Sequence, residues 1–140
     1  MSSERPVVTV AALVFNQEGK VLLLKSKKWR GKWGIPAGKM EYGETIEEAL
    51  KREMMEETGL ETREIKFLKV QELIREKDFW EEAHFVSINS QCKAKNEYVT
   101  LNSEAEEYIW AEPHEALKLD LNRPTRELIE YWLGKSRNSA

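Results

Sequence analysis

Sulfur and imidazole are scarce in this chain. Its 140 residues include one cysteine, Cys92, and two histidines, His84 and His114. A single cysteine excludes an internal disulfide, and so few nitrogen and sulfur ligands leave little with which to build a structural zinc site. Any metal held here is therefore expected to take oxygen ligands. Long apolar runs are missing as well. The longest, VVTVAALVF (Val7–Phe15, one Thr inside), is too short to span a bilayer, and it ends in Asn16-Gln17-Glu18-Gly19, which reads as a hairpin turn and not as a small-residue cleavage site. The expectation is a cytoplasmic protein with no membrane partner. A net positive charge is also absent: the formal value of −3 argues against a nucleic-acid polymer as partner. There is no internal repeat and no low-complexity segment, and the length suits one domain over residues 1–140, with 134–140 as a flexible tail.

What the chain does have is charge sorted along its length. From Lys20 to Lys39 there are seven basic residues and no acid; from Glu41 to Glu57 there are seven acids against Lys51 and Arg52. Each block reads equally as a solvated surface. Val7–Phe15 and Val21–Leu24 are β-rich runs around Gly19, so they read as adjacent strands. The loop that follows, WRGKWGIPAGKMEYGE, carries four glycines and a proline and is long enough to suggest function. Thr45-Ile46-Glu47-Glu48 has the form of a capping box, and Gly59 supplies a left-handed stop, which predicts a helix from there to about Thr58. Ile65–Ile74, Ala83–Cys92 and Tyr108–Ala111 read as further strands. Pro113 opens a helical turn, and Pro124 starts a last helix ending at Gly134. Strands and helices alternating in this way predict an α/β unit.

The helix over 45–58 contains an anomaly. On a wheel of about 100° per residue, Ile46, Ala49, Leu50 and Met54 form one apolar face, yet Glu53 and Glu57 fall within about 20° of Ile46 and Glu56 lies at the edge of the stripe. All three also sit in the last turn, where the helix dipole disfavours acids. Carboxylates turned toward a partly buried site stay ionised only when cations compensate them. Arg52, four residues before Glu56, is one such cation, but one guanidinium does not balance three carboxylates. A divalent hard ion such as magnesium would. A twist that left these acids in solvent would also resolve the conflict.

The wider spacing is Gly38, five residues, Glu44, seven residues, then Arg52-Glu53-Met54-Met55-Glu56-Glu57-Thr58-Gly59-Leu60. This resembles the Nudix box, G-x5-E-x7-R-E-U-x-E-E-x-G-U with U a bulky aliphatic, and all nine constrained positions are filled. The preceding GKWGIPAG is similar to the family's lead-in, although Ala37 stands where a second glycine is common. The resemblance implies an α/β/α sandwich around a mixed β-sheet, and Mg2+-dependent hydrolysis (with Mn2+ able to substitute) of a nucleoside diphosphate linked to another group. It implies that Glu53, Glu56 and Glu57 face the metal, that Arg52 orients them, and that Glu44, with Gly59, supports the loop and helix. It also implies that a backbone carbonyl near Gly38 completes a metal shell. Glu104, six residues before Trp110, matches the position from which some members draw a further glutamate; Glu106 and Glu107 compete for that role, and a solvated acidic loop is an equal reading. The general base is Glu53 or Glu56, with Glu104 third, and the sequence does not rank them.

Substrate is read by elimination. The segment Glu64–Trp80 after the box lacks the proline usual in ADP-ribose hydrolases, and the first tyrosine after the box, Tyr98, comes later than in diadenosine polyphosphate hydrolases. What remains is a compact (deoxy)nucleoside triphosphate pyrophosphohydrolase of MutT type, releasing a monophosphate and pyrophosphate. An ADP-ribose, nucleotide-sugar or dinucleotide pyrophosphatase is the alternative, followed by a non-catalytic nucleotide-binding module and a diphosphate isomerase. Lys39 is a candidate for holding phosphates. Phe79 and Trp80 are candidates for stacking on a base, or form a packing lid. Asn122 and Thr125 are candidates for hydrogen bonding to it, although Asn122 also reads well as a helix-start residue. Leu128 and Trp132, at helical spacing, suit the core or a homodimer contact.

Overall fold

The structure is a computed structural model and describes residues 5–138. Its centre is strand β1 (Val7–Phe15), which lies parallel to β6 (His84–Ala94) in an unbroken register from Val7↔Phe85 to Phe15↔Lys93. Beyond β6 runs β5 (Thr62–Ile74), antiparallel and interrupted by two register shifts. On its other side β1 meets β2 (Val21–Ser26) only at Phe15↔Val21. The expected hairpin therefore exists at its turn and then forks. In place of β2, the short strand β4 (Ala37–Lys39) pairs with β1 at Thr9–Ala11, while β2 turns to pair with β3 (Lys32–Gly34) and β7 (Glu107–Ala111). The segment expected to be a loop between β2 and the first helix is thus largely ordered: a 3-10 turn at Lys27–Trp29 and then β3 and β4.

Alternation along β1 assigns the two faces. Val10, Ala12 and Val14 join Ala49, Leu50 and Met54 of helix α1 (Ile46–Thr58) in one core; Leu13 and Phe15 join Leu128, Ile129 and Leu133 of helix α3 (Arg123–Asn138) in the other. The short helix α2 (Pro113–Ala116) adds Ala116 to the second core. The result is a mixed sheet between helical layers, an α/β/α sandwich, as the period-two pattern of a two-sided strand requires.

One boundary differs from expectation. Gly134 does not stop α3: it is absent from the glycines with positive φ, and the helix continues to Asn138. Residues 134–138 of the expected flexible tail are therefore helical, and residues 139–140 lie outside those described. Leu128 is fully buried, and Trp132 stacks on Phe15 at 4.8 Å while its indole N–H donates to Gln91, so both serve the interior. Among the described residues no helix is long and apolar enough to cross a membrane.

Candidate active site

Helix α1 is fixed at both ends by the devices its sequence encodes. Thr45 accepts from the Glu48 N–H at 3.1 Å, Glu48 accepts in return from the Thr45 N–H at 2.9 Å, and Gly59 closes the helix at φ 70°. With the ends set, the rotation of the helix follows from its apolar residues. Ala49, Leu50 and Met54 are completely buried, whereas Ile46 is 40% exposed, so the stripe is narrower than the wheel proposed. Glu53 and Glu57 are carried inward with that stripe and keep only 8% and 7% exposure; Glu56 faces outward.

Arg52 is the first part of the compensation. Its guanidinium makes a two-pronged contact with Glu44 (Nε to Oε2 2.6 Å, Nη2 to Oε1 3.0 Å) and reaches Glu53 at 2.9 Å and Glu56 at 3.1 Å through Nη1. Nη2 also donates to the Lys39 carbonyl at 3.0 Å, which ties the helix to β4. The pKa shifts follow this geometry. Arg52 holds Glu44 below the usual carboxylate range, and the hydrogen bond to Glu44 raises Arg52 in turn. Glu53 is raised by burial despite the pull of Arg52.

Glu57 has no such partner. It accepts one hydrogen bond, from the Ala37 N–H at 2.9 Å, and its pKa is pushed up to about 9, first by burial and then by the charges of Glu53 and Glu104. Glu104 approaches from the segment before β7, where Lys28 Nζ stands 3.2 Å from its carboxylate. Gly38 makes this crowding sterically feasible: a Cβ there would overlap the Glu53 carboxylate, so β4 and α1 approach this closely only with glycine at that position. Three carboxylates thus share a recess with less positive charge than they need. Among the described residues no three carboxylates close into a ready-made metal shell, and Arg52 Nη1 is hydrogen-bonded to both Glu53 and Glu56. The donor set is nevertheless all oxygen, partly desolvated and under-compensated, which suits a hard divalent cation.

These carboxylates line a cavity of about 390 Å³, together with Gly38, Lys39 and Lys28. The same lining has an apolar part: Trp29 and Phe79 meet edge to face at 4.8 Å, Phe79 and Phe85 at 5.2 Å, and Leu73 is also a lining residue. Phe79, a candidate for stacking, is thus in the cavity lining. Trp80 is not; it is 53% exposed and outside the lining, and its backbone N–H donates to the Lys28 carbonyl. Asn122 and Thr125 are also outside the lining. Asn122 Oδ1 accepts from the Thr125 N–H at 2.9 Å, capping α3, so the helix-start reading accounts for it. Residues missed in the sequence are Trp29, Phe85 and Ser87, whereas Lys28 belongs to the basic run before Lys39. Lys28 and Trp29 lie in the basic, aromatic segment already singled out, but Phe85 and Ser87 face the cavity only because β6 pairs with both β1 and β5.

Comparison with known proteins agrees with this geometry. The model of the NUDIX domain matches residues 5–132. The nucleoside triphosphatase NudI of Escherichia coli K12 is 34% identical, over 86% of this chain and 93% of its own. Among solved structures, the MutT NUDIX hydrolase of Burkholderia pseudomallei is similar with a TM-score of 0.78 and 27% identity, covering 91% of this chain and 98% of that one. The MutT protein of Methanosarcina mazei Go1 gives 0.76 and 26%, covering 95% and 97%. The chain belongs to the Nudix family and is a hydrolase of pyrophosphate bonds.

Proposed function

We propose that the chain hydrolyses nucleoside triphosphates to a monophosphate and pyrophosphate, with magnesium as cofactor and manganese able to replace it. The observation that carries this reading is a single cavity lined both by an aromatic cluster and by carboxylates. A nucleotide has the matching parts, a flat base joined to a chain of phosphates. The name of the Escherichia coli relative, a nucleoside triphosphatase, supports the same substrate class.

The residues then have distinct tasks. Glu53, Glu56 and Glu57, with Glu104 and the Gly38 carbonyl, are the groups that would hold magnesium, which when bound neutralises phosphate charge and acidifies a water. Arg52 positions Glu53 and Glu56, and Glu44 fixes Arg52. Of Glu53 and Glu56, Glu53 is the better placed base, because it lines the cavity and burial raises its affinity for a proton, whereas Glu56 is outside the lining; Glu104 also lines the cavity but is paired with Lys28 at 3.2 Å. Lys39 and Lys28 supply positive charge in the cavity lining, Lys28 beside Glu104 at 3.2 Å, where phosphate oxygens need it. Trp29, Phe79 and Phe85 shelter the base and exclude water.

Cys92 bears on the isomerase alternative. It is 1% exposed, packs in the α1 core and has its thiol pushed up to about 12 by burial, so it offers no reactive group to the cavity. The deciding experiment is a magnesium-dependent assay on the common triphosphates, ADP-ribose, nucleotide sugars and dinucleotides, with products identified. Release of pyrophosphate from one or more triphosphates is expected. Much faster cleavage of ADP-ribose would overturn the substrate assignment.

A further inference from the structure

A chain of buried amides under the cavity fixes the polarity of its floor. Gln71, Asn89 and Ser87 are 6%, 1% and 5% exposed, and only Ser87 reaches the cavity surface. The chain starts at groups whose role is not adjustable. Gln71 Nε2 lies 3.0 Å from the Pro124 carbonyl and 2.9 Å from a carboxylate oxygen of Glu127, both acceptors, so this atom is the amide nitrogen and donates to both. Gln71 Oε1 must then accept, and it does so from Asn89 Nδ2 at 3.1 Å. Asn89 Nδ2 also lies 3.4 Å from the Ser87 carbonyl, a second acceptor that fixes the same orientation. Asn89 Oδ1 is left to accept, and the Ser87 hydroxyl donates to it at 3.1 Å.

The single proton of the Ser87 hydroxyl is therefore committed to the interior. Turning it toward the cavity would leave Asn89 Oδ1 unpartnered in a fully buried position, which is strongly disfavoured. Among the described residues no hydrogen bond is donated to Ser87 Oγ, so its lone pairs are available to a ligand. Ser87 lies two residues along β6 from Phe85, on the same face, and opposite Thr9 of β1. The acceptor is thus placed beside the aromatic cluster of the cavity, where a base edge would meet it.

We infer that Ser87 is a specificity-determining residue that accepts a hydrogen bond from an N–H on the base edge, selecting nucleotides that present a donor there and rejecting those that present only acceptors. This rests on the proposal that a nucleotide occupies the cavity with its base at the aromatic cluster. Glu127, Gln71 and Asn89 act through Ser87 as positioning residues, carrying orientation from α3 to the cavity floor.

The test uses binding, so that it does not depend on turnover. Calorimetric affinities of the full-length chain are measured for the common nucleoside monophosphates, each beside the analogue in which the base N–H is methylated. Wild type is expected to favour the parent of its preferred pair by about tenfold or more, as a buried acceptor left unpaired implies. In S87A this ratio should collapse to within about twofold, and S87T, which keeps the hydroxyl, should retain it. A ratio that survives S87A would be set by the bulk of the methyl group and would overturn the inference. The triphosphate assay on the same preparations separates the two readings. Turnover with an unchanged ratio in S87A removes the role of Ser87 alone; a collapsed ratio without turnover removes the triphosphate-substrate reading alone. Failure to bind any nucleotide removes both.

Discussion

Glu57→Gln should make the metal-free protein more stable while abolishing most of its activity. Glutamine keeps the volume of the side chain and the oxygen that accepts from the Ala37 N–H at 2.9 Å, but it removes a carboxyl whose pKa is raised from 4.5 to about 9. At pH 7 the unfolded chain has this group ionised, and folding must either protonate it or bury the charge. The difference from 4.5 to 7, at about 1.4 kcal/mol per unit, sets an upper limit of about 3 kcal/mol on the destabilisation. A gain of about 1–3 kcal/mol is expected, roughly 3–10 °C in melting temperature for a chain of this size. The sign of the pH dependence follows from proton counting. Between pH 4.5 and about 9 the folded state holds the extra proton, so metal-free wild type loses stability as pH rises through that window and levels off on either side. The variant should lack this slope. Thermal melts in EDTA from pH 5 to 9 measure both effects. Magnesium should raise the melting temperature of wild type more than that of E57Q, since the variant has lost a candidate ligand. Equal melting temperatures and parallel pH profiles in EDTA would show that Glu57 is not desolvated as described.

Three further outcomes follow from the same arrangement. Glu56→Gln should cut turnover by about 100-fold, because it removes one of the carboxylates proposed to hold magnesium. Its stability should change by less than about 1 kcal/mol, because Glu56 is exposed and its contact with Arg52 is a surface i,i+4 pair; steady-state kinetics with a melt in parallel checks both. Arg52→Lys keeps the charge but not the planar fork that spans Glu44, Glu53 and the Lys39 carbonyl, so it should lose about 1–3 kcal/mol in denaturant titration as well as activity. Gly38→Ala should displace the Glu53 carboxylate that its Cβ would overlap. A flexible side-chain end can move aside, so magnesium-dependent activity should fall much further than the melting temperature, and a variant with full activity would contradict the packing of β4 on α1.

The part of the molecule read correctly in advance is the part governed by near neighbours. A capping box, a left-handed glycine and three buried apolar residues define α1 from Ile46 to Thr58, and the rotation they impose turns Glu53 and Glu57 inward. The same local logic failed where a residue has two chemically valid uses. Gly134 can end a helix or sit inside one, and it does the latter. Asn122 can read a base or cap a helix, and the Thr125 N–H three residues on claims its oxygen. Phe79 and Trp80 are adjacent and equally aromatic, but only Phe79 meets Trp29 and Phe85 in the cavity wall.

By itself the sequence determined the α/β pattern, the capped helix, the acids that interrupt its buried stripe and the spacing back to Gly38 and Glu44. Each depends on periods and offsets of a few residues, which backbone geometry converts directly into direction. Tertiary structure alone decided how those acids are compensated, through contacts of Arg52 with residues up to 13 positions away, and what the apolar part of the cavity is made of. Trp29, Leu73, Phe79 and Phe85 come from separate segments, and the proton chain from Glu127 through Gln71 and Asn89 to Ser87 crosses from α3 to β5 to β6. No local propensity encodes such a meeting, because it depends on strand order and register, and those are set by burial of the whole sheet between its helices.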